Sequence, residues 1–150
     1  MNEPVIQALA ITPASPARAR TIDITTIGRK SGKPRRIEIW FYRVDGKIYL
    51  SGLPSRPSWY VNIVANPHFT FHLKNGIRAD LAATAVPITD EATRRRVFTA
   101  IVADLNQPRN PGRIVQPTRL EDWMAGSRLA EVIFDFDRTS DDAGRIESSH

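Results

Sequence analysis

Two hairpin dipeptides, Asp45-Gly46 and Asn75-Gly76, each lie between runs of alternating apolar and polar residues, and they constrain this chain more than any other feature. Asp-Gly and Asn-Gly supply the positive φ angles of tight turns whose twist matches the flanking strands. Strands joined this way pair antiparallel. Around the first turn, Ile37, Ile39 and Phe41 alternate with Arg36, Glu38, Trp40 and Tyr42, and Ile48 and Leu50 return on the same face. Around the second, Phe69, Phe71 and Leu73 share a face, and Ile77, Ala79, Leu81, Ala83 and Ala85 pair back. A period of two puts each such set on one side of a sheet.

Two more strands complete the pattern. Thr21–Ile27 is rich in β-branched residues, and Leu129–Phe136 is apolar enough to be central. Between the hairpins lies a short helix with Trp59, Tyr60, Ile63 and Val64 at helical spacing. Ser55 or Arg56 is expected to cap it, Pro57 suits its first turn, and Asn66-Pro67 ends it. Thr89 is expected to cap a longer helix carrying the stripe Val97, Phe98, Ile101, Val102 and Leu105. Residues 106–118 read as a Pro-rich loop and Leu120–Met124 as one helical turn. The fold expected is mainly β with flanking helices, six antiparallel strands closing into a small barrel. Residues 1–20, with three prolines, are expected to form a flexible N-terminal arm with one helical turn near Ile6–Leu9. Residues 21–137 form the barrel domain, and the polar stretch 138–150 is expected to be a disordered tail.

The chain has no cysteine, which excludes disulfides, thiolate metal sites, iron–sulfur clusters and a cysteine nucleophile. His68 and His72 share a strand face but stand about 13 Å apart, too far to ligate one metal side by side, and read as surface histidines. No metal site is predicted. Ser55 and Ser58 lack a His–Asp arrangement, which argues against a serine hydrolase. The N-terminus carries no signal-peptide pattern and no segment has the apolar length of a membrane-spanning helix, so a cytoplasmic location is expected. Lys and Arg number 21 against 16 Asp and Glu, a formal charge of +5. That balance suits an anionic partner: nucleic acid, an anionic membrane surface or a phosphorylated small molecule.

The charge concentrates in GRKSGKPRR, residues 28–36, where Arg29, Lys30, Lys33, Arg35 and Arg36 sit between two predicted strands. Gly28 and Gly32 permit a bend that aims backbone N–H groups inward, and the arginines add bidentate geometry toward phosphate or carboxylate oxygens. The same run also reads as a hairpin tip kept charged for solubility. A second cluster, RPSWYVNIVANP at residues 56–67, places Trp59 and Tyr60 near a helix N-terminus, where an aromatic can wall a flat anionic ligand. Core packing is the other reading of both aromatics.

GRKSG followed by Pro and Arg, then an alternating strand, a hairpin and P-x-W-Y-x-N before A-N-P, resembles the deazaflavin-dependent nitroreductase family from about Thr21 to Phe136. The resemblance implies the FMN-binding split-barrel fold and coenzyme F420 as cofactor, with FMN as the alternative. It implies that Lys30 and Arg35 hold the cofactor's phosphate and polyglutamate carboxylates, assisted by Arg29, Ser31 and Lys33. Ser51, with Gly52 beside it, matches a position near the deazaflavin ring, and Pro57, Trp59, Tyr60 and Asn62 match the segment beneath it. The chain departs from the family where a Lys-Gly-Gly-type loop is replaced by Gly52-Leu53-Pro54, and where no tyrosine lies between Gln107 and Leu129. The implied activity is hydride transfer from reduced F420 to an electron-poor small molecule such as a quinone, enone or nitro compound, with no side chain assigned as catalytic. The alternative is a non-catalytic barrel that binds a flavin, haem or lipid. No specific nucleic acid is expected, because the aromatics alternate inward. A homodimer and a peripheral membrane contact through the N-terminal arm stay open.

Overall fold

The structure is a computed structural model that describes residues 2–107 and 118–136. Six strands close into one antiparallel barrel in the order β1-β2-β3-β6-β5-β4. They are β1 Thr21–Ile27, β2 Pro34–Val44, β3 Lys47–Ser51, β4 His68–Leu73, β5 Ala79–Pro87 and β6 Leu129–Phe134. The helices are α1 Glu3–Leu9, α2 Ala17–Arg20, α3 Ser58–Ala65, α4 Glu91–Leu105 and α5 Leu120–Gly126. The positive φ angles at Asp45 and Gly46 mark the first expected tight turn. At the second only Gly76 has a positive φ, and the pairing resumes at Leu73 with Ala79. Asn75-Gly76 therefore sits in a longer connection, and Ile77 lies in it and not on the returning strand. Both helix starts differ slightly from expectation. Pro57 is the residue before α3, with no side-chain cap, and Asp90 rather than Thr89 caps α4 by accepting from Thr93 N.

The barrel interior is filled by Ile22, Ile24, Phe41, Leu50, Phe71 and Phe134, with Phe71 edge-on to both other rings. A second apolar cluster lies outside the barrel, where Val97, Phe98 and Ile101 of α4 and Trp123 of α5 cover Tyr42 and Tyr49. Both faces of β3 are therefore buried, which strand alternation by itself does not indicate.

The N-terminal segment is packed, not loose. Val5, Leu9 and Ile11 join the interior cluster, and Asn2 caps α1 by accepting from Val5 N. Arg20 is 1% exposed and bonds both carboxylate oxygens of Asp104 and the carbonyls of Thr12 and Ser15. The sequence contains these apolar residues, but their prolines and short spacing hide the docking that orders them. Of the segment's large apolar side chains among the described residues, only Ile6 is exposed. The expected tail, 138–150, and most of the 106–118 loop lie outside the described residues. Among those described, no helix is long and apolar enough to cross a membrane.

One departure from a regular barrel positions the site. The register of β2 with β3 runs only from Phe41 to Val44, whereas β1 accompanies β2 from Pro34 to Trp40. The first half of β2 thus pairs on one side only. There the barrel is split, and Ile37, expected to face the core, is 38% exposed. Arg35, Arg36 and Glu38 are exposed along this free edge, a charge pattern that discourages pairing with another chain.

Candidate active site

Two cavities lie beside the free half of β2. The first has a volume of about 390 Å³ and is bordered by Gly28, Arg29, Lys30, Ser31 and Arg35 of the basic turn and by Arg56, Ser58, Val61 and Asn62 from α3 and its approach. The turn is closed by Gly28 N–H donating to the Lys33 carbonyl at 2.8 Å and Gly32 N–H donating to the Gly28 carbonyl at 2.9 Å. Gly32 has φ +69°, which a side chain would strain, and a Cβ on Gly28 would collide with Ser31 Oγ. Asn62 ties the turn to α3: its Oδ1 accepts from Arg29 N–H at 3.0 Å and its Nδ2 donates to Thr26 Oγ1 at 3.2 Å. Among the described residues no aspartate or glutamate borders this cavity, and none of its four cations forms an ion pair. Elsewhere the surface cations Arg36, Lys74, Arg95 and Arg96 are all paired with carboxylates. The cavity is an uncompensated positive cradle, suited to phosphate or carboxylate oxygens.

The second cavity, about 250 Å³, is bordered by Ile39, Trp40 and Tyr42 of β2, Ser51, Gly52 and Leu53, and Leu105 and Trp123. Its walls are apolar and aromatic. Ser51 is buried and donates from Oγ to the Arg128 carbonyl at 2.5 Å, and Ser127 Oγ donates to the Gly52 carbonyl at 2.7 Å. These bonds, with Ser55 N–H to the Gly126 carbonyl, fasten the short β3–α3 loop to the start of β6. Burial pushes the Tyr42 phenol above its ordinary pKa. Nearby Arg20 opposes that shift and Asp104 reinforces it. The phenol is therefore held protonated, as a hydrogen-bond donor.

The structure thus gathers five of the expected residues, Arg29, Lys30, Ser31, Arg35 and Asn62, around one cavity, and sets Ser51 and Gly52 at another. Lys33 is exposed and supplies a backbone carbonyl to the turn. Trp59 lies in the core at 7% exposure, edge-on to Tyr60 at 5.7 Å, and borders neither cavity. Pro57 and Tyr60 border a third depression on the outer side of α3. Sequence reasoning missed Arg56 as a cavity residue, reading it only as a cap; its place just before Pro57 in the motif was the available signal. It also passed over Trp40 and Tyr42, whose polar-face register hid the partial burial of Trp40 and the burial of Tyr42 against the cluster of α4 and α5. His72 is another correction: it is 7% exposed, its Nδ1 lies 2.7 Å from Asp80 Oδ1 and its Nε2 lies 2.7 Å from Thr25 Oγ1. It is a buried cross-strand link between β5, β4 and β1 and not a surface histidine.

Residues 16–110 match the family model for F420H(2)-dependent quinone reductase. The chain belongs to that family. The reductase is accordingly an F420-dependent oxidoreductase, and coenzyme F420 is its cofactor. Solved structures agree on the fold. A conserved hypothetical protein from Mycobacterium tuberculosis aligns with TM-score 0.59 at 21% identity, over 89% of this chain and 81% of that one. A putative pyridoxamine 5'-phosphate oxidase from Listeria innocua aligns with TM-score 0.58 at 12% identity, over 88% and 91%. A putative 5-nitroimidazole antibiotic resistance protein from Bacteroides thetaiotaomicron aligns with TM-score 0.57 at 10% identity, over 89% and 80%. The donor set fits the cofactor. F420 carries a phosphate and glutamate carboxylates, and the first cavity offers guanidinium and ammonium groups with no competing acid among the described residues.

Proposed function

We propose that the reductase passes a hydride from reduced F420 to a flat, poorly polar acceptor, a quinone in preference to a nitro compound. The observation that carries this reading is the pairing of a basic cavity at the Arg35 end of a free strand edge with an aromatic-walled cavity at its Ile39–Trp40 end. When bound, reduced F420 supplies the hydride. Arg29, Lys30 and Arg35 hold its anionic groups, with Ser31 and Lys33 shaping the turn. Asn62 keeps the turn's backbone in place. Ser51 and Gly52 border the space assigned to the ring and acceptor. Trp40, Trp123, Leu105 and Leu53 exclude water and favour an apolar plane over a polar one. Tyr42 offers a donor to a carbonyl oxygen on which charge develops. Family membership favours this enzyme reading over a non-catalytic binding barrel. The cysteine-free chain suits the reducing cytoplasm, the compartment we propose for it.

The test is a steady-state assay following the absorbance of reduced F420 with a panel of quinones, enones and nitroimidazoles, with enzyme omitted as control. The expected order places a quinone first, and Tyr42→Phe lowers kcat with the quinone. Tight F420 binding with no acceptor raising the rate above the control would replace this reading with that of a carrier.

A further inference from the structure

Arg94, Arg95 and Arg96 are consecutive on α4 but are spent differently. Arg95 reaches Glu121 at 2.8 Å and Arg96 pairs with Asp45. Arg94 forms no ion pair among the described residues. Its guanidinium lies over the Phe98 ring, 5.0 Å from the centroid, and its Nη2 donates to the Met124 carbonyl at 2.9 Å and the Ser127 carbonyl at 3.2 Å. These carbonyls belong to the end of α5 and the turn into β6, where backbone acceptors lack partners within the helix.

The same turn carries the rim of the aromatic-walled cavity. Ser127 is buried and donates from Oγ to the Gly52 carbonyl at 2.7 Å, while Ser55 N–H donates to the Gly126 carbonyl at 3.2 Å. The two segments approach so closely that a Cβ on Gly126 would lie 2.9 Å from Pro54 Cβ. Gly52 and Leu53 on one side of this joint and Trp123 on the other all border the cavity. The joint therefore sets the spacing of two cavity walls, and Arg94 fixes its α5 side to α4. Arg94 itself borders a different space, an open depression of about 370 Å³ between α4 and α5.

We infer that Arg94 is a positioning residue for the acceptor, acting through Ser127 and Gly52 to hold the wall spacing that a flat ring requires. This rests on the aromatic-walled cavity taking the acceptor. One guanidinium nitrogen carries two N–H donors, so Nη2 serves both carbonyls while the charge lies over Phe98. Because the outer depression is open, water can reach both carbonyls once the guanidinium is removed. The fold then survives while the joint relaxes.

The experiment is steady-state kinetics of the full chain with reduced F420 and a naphthoquinone. It compares wild type, Arg94→Met, Arg94→Lys, Ser127→Ala, the double variant of Arg94→Met with Ser127→Ala, and Arg95→Gln. Affinity for F420 and quenching of tryptophan fluorescence by the naphthoquinone are measured on the same proteins. Arg94→Met is expected to raise KM for the quinone about tenfold with kcat kept within about threefold, and to weaken quenching in parallel. Its affinity for F420 is expected to be unchanged, and Arg94→Lys to recover part of the loss. Ser127→Ala is expected to raise KM similarly. In the double variant KM is expected to be no higher than in the worse single variant, whereas independent effects would multiply. Arg95→Gln releases α4 from the first turn of α5 and is expected to leave KM unchanged. An unchanged KM in Arg94→Met, multiplied effects in the double variant, or an equal rise in Arg95→Gln would overturn the positioning role while leaving the acceptor cavity standing. Should Arg94→Met not fold, Ser127→Ala decides, and an unchanged KM there would overturn the inference. A wild-type chain with neither quinone turnover nor quenching would overturn the acceptor reading itself.

Discussion

At the scale of single residues, the basic turn separates groups that touch a ligand from groups that place them. Arg35 is exposed, has no carboxylate partner among the described residues and borders the cavity, so its guanidinium faces the site. A charge-assisted hydrogen bond is worth about 1.5–3 kcal/mol, and exposure puts Arg35 toward the low end. Arg35→Ala should weaken F420 binding by roughly tenfold without changing the thermal midpoint. Asn62 differs in kind, because both ends of its amide are used internally, on Arg29 N–H and Thr26 Oγ1. Asn62→Leu should release the turn and weaken F420 binding, yet leave the affinity for a deazaflavin lacking phosphate and tail unchanged. Titrations with both ligands would check this, and equal losses for the two would refute the positioning role. The sequence made the cations visible as a run. It did not say which would be neutralised, since Arg36 in the same run is spent on Asp23 at 2.9 Å.

At the scale of elements, the N-terminal segment is held by one buried ion pair. Arg20 and Asp104 join α2 to the end of α4 across 84 residues of chain, and Gln107 Nε2 adds bonds to Asp104 Oδ1 and the Pro13 carbonyl. Arg43 donates to the Leu9 carbonyl on the other side. Removing one member of such a pair leaves a buried charge without its partner, which typically costs 3–5 kcal/mol. Asp104→Ala should therefore lower stability by about that amount in urea unfolding. Because α4 ends at Leu105, which borders the aromatic cavity, the same change should also raise KM for the acceptor. A loss below about 1 kcal/mol would mean that the segment is not held this way.

At the scale of the molecule, the outer face of the barrel is bound across strands by charge. Lys74 of the β4–β5 connection reaches Asp23 at 2.7 Å and Glu38 at 2.5 Å, and Arg36 reaches Asp23 from β2. For Asp23, partial burial raises the pKa, but hydrogen bonds and charge from Lys74 and Arg36 outweigh it, so the net shift is downward. Asp80 is also lowered, first by its hydrogen bond to His72. A carboxyl with a depressed folded pKa contributes stability at pH above its unfolded value, near 4, and loses it as pH falls through the folded pKa. Stability should therefore decline as pH is lowered from about 5 toward 3. Lys74→Met should flatten that decline, as read from urea midpoints across the range. An identical slope in the variant would remove this network from the account of acid sensitivity.

The strands, the Asp45-Gly46 turn and the inward faces of β1, β3 and β4 were legible in the residues themselves, because alternation and the φ demands of Asp-Gly are local properties of the chain; Asn75-Gly76 located the second connection but not its length. The positive turn was legible for the same reason, five cations and two glycines being written within nine residues. The tertiary structure decided what local pattern does not encode. It buried Tyr42 and Tyr49 by covering the outer sheet face with α4 and α5, and buried His72 by giving both its ring nitrogens partners on neighbouring strands. It drew Arg56 and Asn62 to a turn some thirty residues earlier in the chain, and docked Val5, Leu9 and Ile11 on the barrel. Each of these depends on which surfaces meet after closure. In particular, the difference in length between β2 and β3 leaves half a strand edge free, and only the closed barrel places both cavities beside it.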